Sequence, residues 1–149
     1  MKIDGIDKKI IRSLVKDART PILSIARDIG ISGAAIHQRL RKLEKSDLID
    51  GYYMKINSKS LGYTTTAFVG IHLETSSVLS SVIKRLKEVL EVVECHYTTG
   101  NYSLLVKVFC KDDLSLMKLL DEKIKVIKGV KKFETFVSLN QQIDRQLHV

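Results

Sequence analysis

The sequence predicts an α+β protein with an N-terminal winged helix-turn-helix and a C-terminal βαββαβ domain of ferredoxin-like order. Apolar residues recur at helical spacing three times before residue 46, which predicts three helices. After residue 63, four runs rich in strand-forming residues are interspersed with two further helical stripes. We therefore divide the chain into a first domain at 1–58, a hinge at 59–63 and a second domain at 64–149.

The first helix is predicted to begin near Asp4 or Asp7 and to end near Lys16. Aspartates near its start suit the positive end of the helix dipole. Its apolar stripe begins at Ile3 and faces a core. Pro21 follows a short break and stands where the first turn of a second helix tolerates a missing N–H group.

The turn between the second and third helices is the most informative local signal. Ala26 is small enough for a point where two helices cross, Gly30 is free to take a positive φ, and Ile36 serves as a core anchor. Ser32 can cap the third helix, whose apolar positions then step by four and three up to Leu43. This is the pattern of a DNA-binding helix-turn-helix.

A helical wheel separates the third helix into a core face, formed by Ile36, Leu40 and Leu43, and a polar face. Glutamine and arginine can bind base edges in bidentate fashion, a small alanine admits a thymine methyl group, and lysines suit phosphates. The expected DNA-binding set is Ser32, Ala34, His37, Gln38, Arg39, Arg41, Lys42 and Lys45. Arg39, at the edge of the apolar stripe, either touches a phosphate or braces the domain through an acid. The alternative for the whole face is a basic surface that is merely solvated.

The charge distribution favours a polyanionic partner. The net charge is +8 and the pI is about 9.5. Residues 1–58 hold 12 Lys and Arg against 7 Asp and Glu, whereas residues 59–149 hold 13 against 10, so the smaller segment is the more basic. Between the third helix and the hinge, residues 48–57 alternate around Gly51 and are interpreted as a short extended wing or strand.

The second domain has strand-like runs on both sides of two helical stripes. The predicted strands are 64–74, 92–98, 102–110 and 130–139, and the helices follow Ser76 or Ser77 and Asp112. Leu104, Val106 and Val108 alternate with Leu105 and Phe109, so the sheet is apolar on both faces. Helices cover one face, and a second subunit's sheet is the simplest cover for the other. We therefore expect a homodimer formed through this domain.

Several function classes lack support in the sequence. No apolar run approaches the roughly 20 residues that span a bilayer, so we expect a cytoplasmic protein with no membrane partner. A hairpin turn at Gly100 would place Cys95 opposite a residue near Val106 and not opposite Cys110, so no disulfide is expected. No CxxC or HxxxH pair suggests a metal. The four histidines are scattered without a catalytic set, so we expect neither an enzyme nor a cofactor.

Taken in order, these segments resemble the Lrp/AsnC family of transcription regulators, also called feast/famine regulators, over nearly all 149 residues. The segments that carry the resemblance are 6–11, 17–19, 25–26, 30–32, 39–44, 49–52, 99–102 and 134–137. The resemblance implies a winged helix-turn-helix joined to a ligand-sensing βαββαβ domain. It also implies dimers that assemble further, commonly to octamers, around which double-stranded DNA can wrap.

The resemblance further implies a small effector, usually an amino acid, bound between dimers. Carried onto this sequence, the effector-binding set is Gly100, Asn101, Tyr102, Ser103, Leu114, Phe136 and Ser138. The family usually has aspartate at the position of Ser103, and that carboxylate can pair with an α-ammonium group, whereas a hydroxyl offers only an uncharged hydrogen bond. The alternatives are therefore a different ligand, a plain hairpin turn at 100–103, or an architectural DNA-wrapping protein without an effector.

A second departure from the family lies at Asp47, after the third helix, where glycine is usual. Aspartate tolerates the left-handed region less well than glycine, so we expect an adjusted helix end there.

Overall fold

The computed structural model describes residues 2–147 and 149, which form two compact units. One unit extends to Lys55 and includes the C-terminal segment from Ile143 onward, and the other spans Ile56–Gln142. The sequence analysis placed that C-terminal segment with the second domain. It packs with the first unit because Val149 contacts the first core and Asp144 forms an ion pair with Lys55.

Three helices form the first unit, and they are named α1 (Gly5–Lys16), α2 (Ile22–Ile29) and α3 (Gly33–Lys45). Asp4 caps α1 by accepting hydrogen bonds from the backbone N–H groups of Ile6 and Asp7. Gly30 ends α2 in the left-handed region with φ 82°, as expected for the turn. Ser32 then caps α3, since its side chain accepts a hydrogen bond from the N–H of Ala35.

A small apolar core holds these three helices together. Its buried members are Ile10, Ile11, Ile25, Ala26, Ile36, Leu40 and Leu43. The three residues that the helical wheel assigned to the core side of α3 are all in this set, so that assignment is confirmed. The polar side of α3 is consequently directed away from the core.

The segment after α3 forms no strand. Residues 50–56 have neither helix nor strand, and no strand among the described residues pairs with them. Tyr53 and Met54 are exposed there, at 79% and 78% of their surface. The expected wing is therefore an extended segment. The predicted hinge contains a single 3-10 turn, Lys59–Leu61, which closes at Gly62 with φ 84°.

The second unit follows the expected βαββαβ order. Its elements are β1 (Thr65–Leu73), α4 (Leu79–Leu86), β2 (Val92–Tyr97), β3 (Leu104–Cys110), α5 (Asp113–Lys118) and β4 (Val130–Ser138). A 3-10 turn precedes α4 without a side-chain cap, and a π-helical turn, Leu119–Ile124, follows α5. Asp112 caps α5 by accepting a hydrogen bond from the N–H of Ser115.

The four strands form one antiparallel sheet in the order β2-β3-β1-β4. Cys95 lies opposite Val106, as the hairpin prediction required, and both cysteines are free thiols. Ala67, Val69 and Ile71 of β1 face the helices together with alternate residues of β3, and all are buried. The opposite side of the sheet has no helix of its own, so its apolar residues remain only half-buried in one chain.

Candidate DNA-binding surface and effector site

The polar face of α3 is exposed, and most of its long side chains have no partner among the described residues. Ala34, His37, Gln38, Arg41 and Lys42 are exposed, and so are the capping Ser32 and Lys45 at the helix end. Within the described residues, no hydrogen bond or ion pair engages the side chains of His37, Gln38, Arg41, Lys42 or Lys45. These side chains are therefore free to meet a ligand. Their chemistry suits base edges and phosphates in a major groove.

Arg39 differs from its neighbours on α3. Its Nη1 donates hydrogen bonds to Asp4 Oδ2 and Asp7 Oδ1, both at 2.7 Å. These contacts raise the pKa of Arg39. The N–H of Asp7 and then the Arg39 guanidinium hold the pKa of Asp4 below its ordinary value. Of the two alternatives for Arg39, the brace through an acid is the one whose partners the structure places within reach.

The end of α3 shows how the chain manages without the family's glycine. Asp47 itself takes the left-handed conformation with φ 55°, and it is the one non-glycine residue with positive φ in the described chain. The N–H of Leu48 donates to the carbonyl of Leu43, which closes the helix end. The helix end therefore keeps the usual left-handed turn, and the adjustment expected there was wrong. The strain falls on Asp47, since aspartate is tolerated but not favoured in this conformation.

The loop between β2 and β3 directs Tyr102 back over the uncovered side of the sheet. The Tyr102 ring lies so close to Gly70 that a Cβ built on that glycine would be 2.6 Å from ring atoms. The Tyr102 hydroxyl donates to Glu134 Oε2 at 2.9 Å, and this hydrogen bond raises the pKa of Tyr102. His72 and Phe136 meet the ring edge to face, with centroids at 5.2 and 6.1 Å.

Three residues of this cluster were not predicted from the sequence as site residues: Gly70, His72 and Glu134. Their role depends on strand register, since β1 and β4 place Gly70 opposite Glu134 and His72 opposite Lys132. The Nε2 atom of His72 is buried without a hydrogen-bond partner, 3.9 Å from Glu134 Oε1. The isolated glycine within a strand was the available signal, because such a glycine often marks a close approach.

The predicted effector-binding residues follow one another along the uncovered side of the sheet within one chain. Tyr102 and Phe136 are in contact, and the N–H of Ser103 donates to the carbonyl of Ile71. Phe136 pairs with Phe68, and Ser138 pairs with Thr66, about 7 Å further along the same face of the sheet.

The remaining members of the predicted set lie at the two ends of this row. The carboxylate of Asp113 accepts a hydrogen bond from Thr65. Leu114, the next residue, therefore lies at the same end of β1 as Ser138. Gly100, with φ 108°, and Asn101 belong to the loop of Tyr102. The hydroxyl of Ser103 accepts a hydrogen bond of 3.4 Å from the N–H of Leu73. That hydroxyl is therefore already engaged within the chain.

The second unit also contains a groove that the sequence analysis did not anticipate. It has a volume of about 470 Å³ and is lined mainly by apolar side chains. Its large apolar members are Ile56, Leu61, Tyr63, Leu90, Val93 and Phe109. Leu90 is 91% exposed, which is unusual for a leucine beside an apolar groove. Glu91, at the same groove, forms an ion pair with Lys123 at 2.6 Å that lowers the pKa of its carboxyl.

Residues 2–147 and 149 contain no group of three or more side chains that could hold a metal ion. Over the same residues, no helix combines the length and the apolar character that crossing a membrane demands.

An exposed cationic helix in a helix-turn-helix, followed by a separate α+β unit, defines a DNA-binding regulator of two-domain type. Residues 3–44 match the AsnC-type helix-turn-helix domain, and residues 66–147 match the Lrp/AsnC ligand binding domain. The chain belongs to the Lrp/AsnC family of transcription regulators, and the resemblance seen in the sequence is confirmed. The α+β fold class is likewise confirmed by the matched structures below.

Individual relatives match along the full chain. The regulatory protein AsnC of Haemophilus influenzae is 40% identical over 145 residues, which cover 97% of each chain. The structure of Escherichia coli AsnC superposes with a TM-score of 0.95 at 33% identity and full coverage of both chains. A feast or famine regulatory protein from M. tuberculosis, solved in complex with L-methionine, gives a TM-score of 0.90 at 28% identity over 99% of both chains.

Proposed function

We propose that this regulator reads a specific DNA sequence through α3 and responds to an amino acid or another small effector bound between dimers. The observation that carries the DNA-reading part is the exposed, unpartnered set of Gln38, Arg41, Lys42 and Lys45 on one face of α3. Gln38 and Arg41 can read base edges, whereas Lys42 and Lys45 suit phosphates. Because DNA is the proposed partner, we also propose a cytoplasmic location. We further propose that the protein acts as a regulator and not as an enzyme.

The DNA interface is tested with Arg41→Ala. The intact protein first selects its preferred fragments from random DNA, and its affinity for them is then measured over a range of salt concentrations. We expect Arg41→Ala to abolish specific binding while the oligomer stays intact. Wild-type affinity should fall steeply with salt, by roughly 0.9 logarithmic units per logarithmic unit of salt for each neutralised phosphate.

Lys8→Ala provides a matched control, since Lys8 is an exposed cation on α1 outside the predicted set. It should leave specific affinity almost unchanged. If Arg41→Ala binds as tightly as the wild type, α3 is not the reading helix. A salt response that is flat would contradict phosphate contact altogether.

For the assembly, we propose a homodimer whose second copy covers the groove beside Leu90 and Phe109. Two exposed apolar residues of the groove, Leu61 and Leu90, and the half-exposed Val93 favour burial against another apolar surface. The uncovered side of the sheet continues from Phe109, so one partner can cover both. A symmetric dimer would let two copies of α3 reach half-sites about 34 Å apart, and we propose further assembly to an octamer.

Leu90→Asp tests this arrangement by sedimentation velocity. We expect the aspartate to weaken the dimer strongly, because an unpaired charge would be buried in the contact. Val126→Asp is the matched control, since Val126 is 68% exposed but does not line the groove. Equal sedimentation of both variants and the wild type would remove the groove from the dimer contact.

The proposed effector site draws on two chains. Within one chain, Tyr102, Phe136 and Ser138 follow one another along the uncovered side of the sheet, beside Gly70, Phe68 and Thr66 of β1. The helices of the same chain cover the other side, so a second copy is needed to enclose a ligand here. This open position supports a site between subunits, and the L-methionine complex of the M. tuberculosis relative supports an amino acid as its ligand.

Calorimetry decides between this proposal and an architectural protein without an effector. The purified protein is titrated with L-methionine and with each of the other common L-amino acids. We expect heat from at least one of them, lost in Tyr102→Ala and kept in Tyr53→Ala, an exposed tyrosine of the first unit. No heat from any amino acid, with DNA binding unmodified, would favour the architectural alternative.

A further inference from the structure

One arginine on α3 is held within its own domain, although it belongs to the cationic series of that helix. A single nitrogen of Arg39 donates to both Asp4 and Asp7 at 2.7 Å, and its side chain is 31% exposed. We propose that Arg39 is a positioning residue that fixes α3 against the first turn of α1 and makes no contact with DNA phosphate. The proposal rests on the proposed use of α3 as the reading helix.

The two carboxylates that hold Arg39 are themselves fixed by the start of α1. Asp4 Oδ1 accepts the N–H groups of Ile6 and Asp7, both at 2.8 Å, and leaves Oδ2 for Arg39. Asp7 Oδ2 accepts the N–H of Asp4 at 3.1 Å and leaves Oδ1 for Arg39. Each carboxylate thus joins the backbone of α1 to the same guanidinium. The arginine therefore docks on a preformed pair of acceptors and does not have to order them.

Moving the Arg39 guanidinium away from the two carboxylates costs free energy, and a contact with a DNA phosphate would not offset that cost. The Asp7 side chain is only 10% exposed, so it would remain as a buried charge without its cation. The two carboxylates would also repel a phosphate that approached the same guanidinium. Arg41 and Lys42 face neither constraint, since they are exposed and have no partner among the described residues.

The contacts of Arg39 with Asp4 and Asp7, which we call the clamp, fix the orientation of the polar face of α3. Gln38 precedes Arg39 in the chain and Lys42 lies one turn further on, and both border the same polar cleft as Asp4 and Asp7. If the clamp is released, α3 can rotate or slide on its apolar core by a small amount. Base contacts read the sequence, whereas phosphate contacts supply affinity without reading it directly. Loss of the clamp should therefore weaken sequence discrimination more than general affinity for DNA.

The experiment compares Arg39→Gln, Asp7→Asn, their double variant and Lys42→Gln on selected and on random DNA across salt concentrations. We expect Lys42→Gln to lower the salt slope by about 0.9, the value for one lost phosphate contact, and to weaken both DNAs similarly. Arg39→Gln should leave the slope unchanged and reduce the ratio of specific to non-specific affinity about tenfold or more. Asp7→Asn should act in the same direction, and the double variant should be no worse than Arg39→Gln.

Rescue by Arg39→Lys guards against a variant that simply fails to fold. Because one nitrogen makes both contacts, a lysine ammonium can replace it, and we expect specific affinity close to that of the wild type. A drop in salt slope with Arg39→Gln, or tighter DNA binding by Asp7→Asn as Arg39 is released, would overturn the inference. If Arg41→Ala and Lys42→Gln also leave DNA binding unchanged, the proposed function of α3 fails instead.

Discussion

The two units of this regulator are built from contacts of different range. The buried core of the first unit comes from α1, α2 and α3, which follow one another within 45 residues, and Val149 packs against it. The core of the second unit joins β1 to β3 and β4, whose partners lie more than 30 residues away in the chain. A helix face depends on local spacing, whereas a sheet face depends on register between distant segments. The faces of α3 therefore depend mainly on local spacing, whereas the position of the Tyr102 loop depends on long-range pairing.

Two equivalent substitutions, Ile36→Ala and Ile71→Ala, should show the largest difference in stability between the two units. Both isoleucines are fully buried, one in each core. Each change should cost about 2–5 kcal/mol of unfolding free energy, since it removes buried methyl groups and leaves a cavity. We expect Ile36→Ala to lower the protection of α3 while the second unit stays protected, and Ile71→Ala to lower the protection of β1 and β3 while α3 stays protected. Hydrogen exchange measured peptide by peptide distinguishes the two outcomes.

A single cooperative loss of protection across both units, in either variant, would contradict the comparison. It would show that the two cores unfold together and that their separate contact lists do not define separate units of stability.

The three helices of the first unit were predictable from the sequence, whereas its C-terminal segment was not. The helical spacing identified Ile36, Leu40 and Leu43 as the core side of α3, and the structure buries all three. The glycine turn at Gly30 and the cap at Ser32 were also found, because each acts on residues within one turn. The partners of Arg39 could not be chosen from the sequence, since they lie 32 and 35 residues away.

The second unit was predictable as an order of elements but not as a site. Strand positions and the pairing of Cys95 with Val106 followed from alternation and one turn. The cluster around Tyr102 did not, because it needs β1 and β4 in a particular register under a loop that folds back. Similarly, only the register shows that Tyr102, Phe136 and Ser138 follow one another along the uncovered side of the sheet.

Gly70→Ala tests whether that cluster depends on the close approach of Tyr102. A methyl group there would lie within 2.6 Å of the ring, so the ring must move. Overpacking of this kind typically costs about 1–3 kcal/mol. We expect a lower unfolding midpoint in denaturant and a changed tyrosine signal in near-ultraviolet circular dichroism. An unchanged signal and midpoint would mean that the ring leaves this position without cost.

The cap of α3 offers a smaller effect in the first unit. Ser32→Ala removes the acceptor for the N–H of Ala35, and loss of an N-cap costs about 1 kcal/mol. Ser32→Asn keeps an acceptor and should stay near the wild-type stability, which makes it the matched control. We expect the loss in the hydrogen exchange of α3 alone. If both variants are equally destabilised, the contribution of Ser32 is not its cap.

The smallest expected effect concerns acid, and it distinguishes the units by the carboxyls they use. In the first unit, the N–H of Asp7 and the Arg39 guanidinium lower the pKa of Asp4 below its ordinary 3.8. In the second, Lys123 lowers the pKa of Glu91 and Lys107 that of Glu94, both below the ordinary 4.5. A carboxyl with a lowered folded pKa stabilises fully above its unfolded value, and that contribution is lost as the pH falls through the folded one.

The loss should therefore begin near pH 4.5 in the second unit and nearer pH 3.8 in the first. Hydrogen exchange at a series of pH values measures this directly, with protection in α3 and β3 reporting the two units. Glu91→Gln should flatten the early part of the β3 profile and leave α3 unaffected, since its partner Lys123 lies in the same unit. High salt should shrink the effect, because the ion pair is partly exposed. If α3 loses protection before β3, the carboxyls of the first unit govern acid stability and the comparison is reversed.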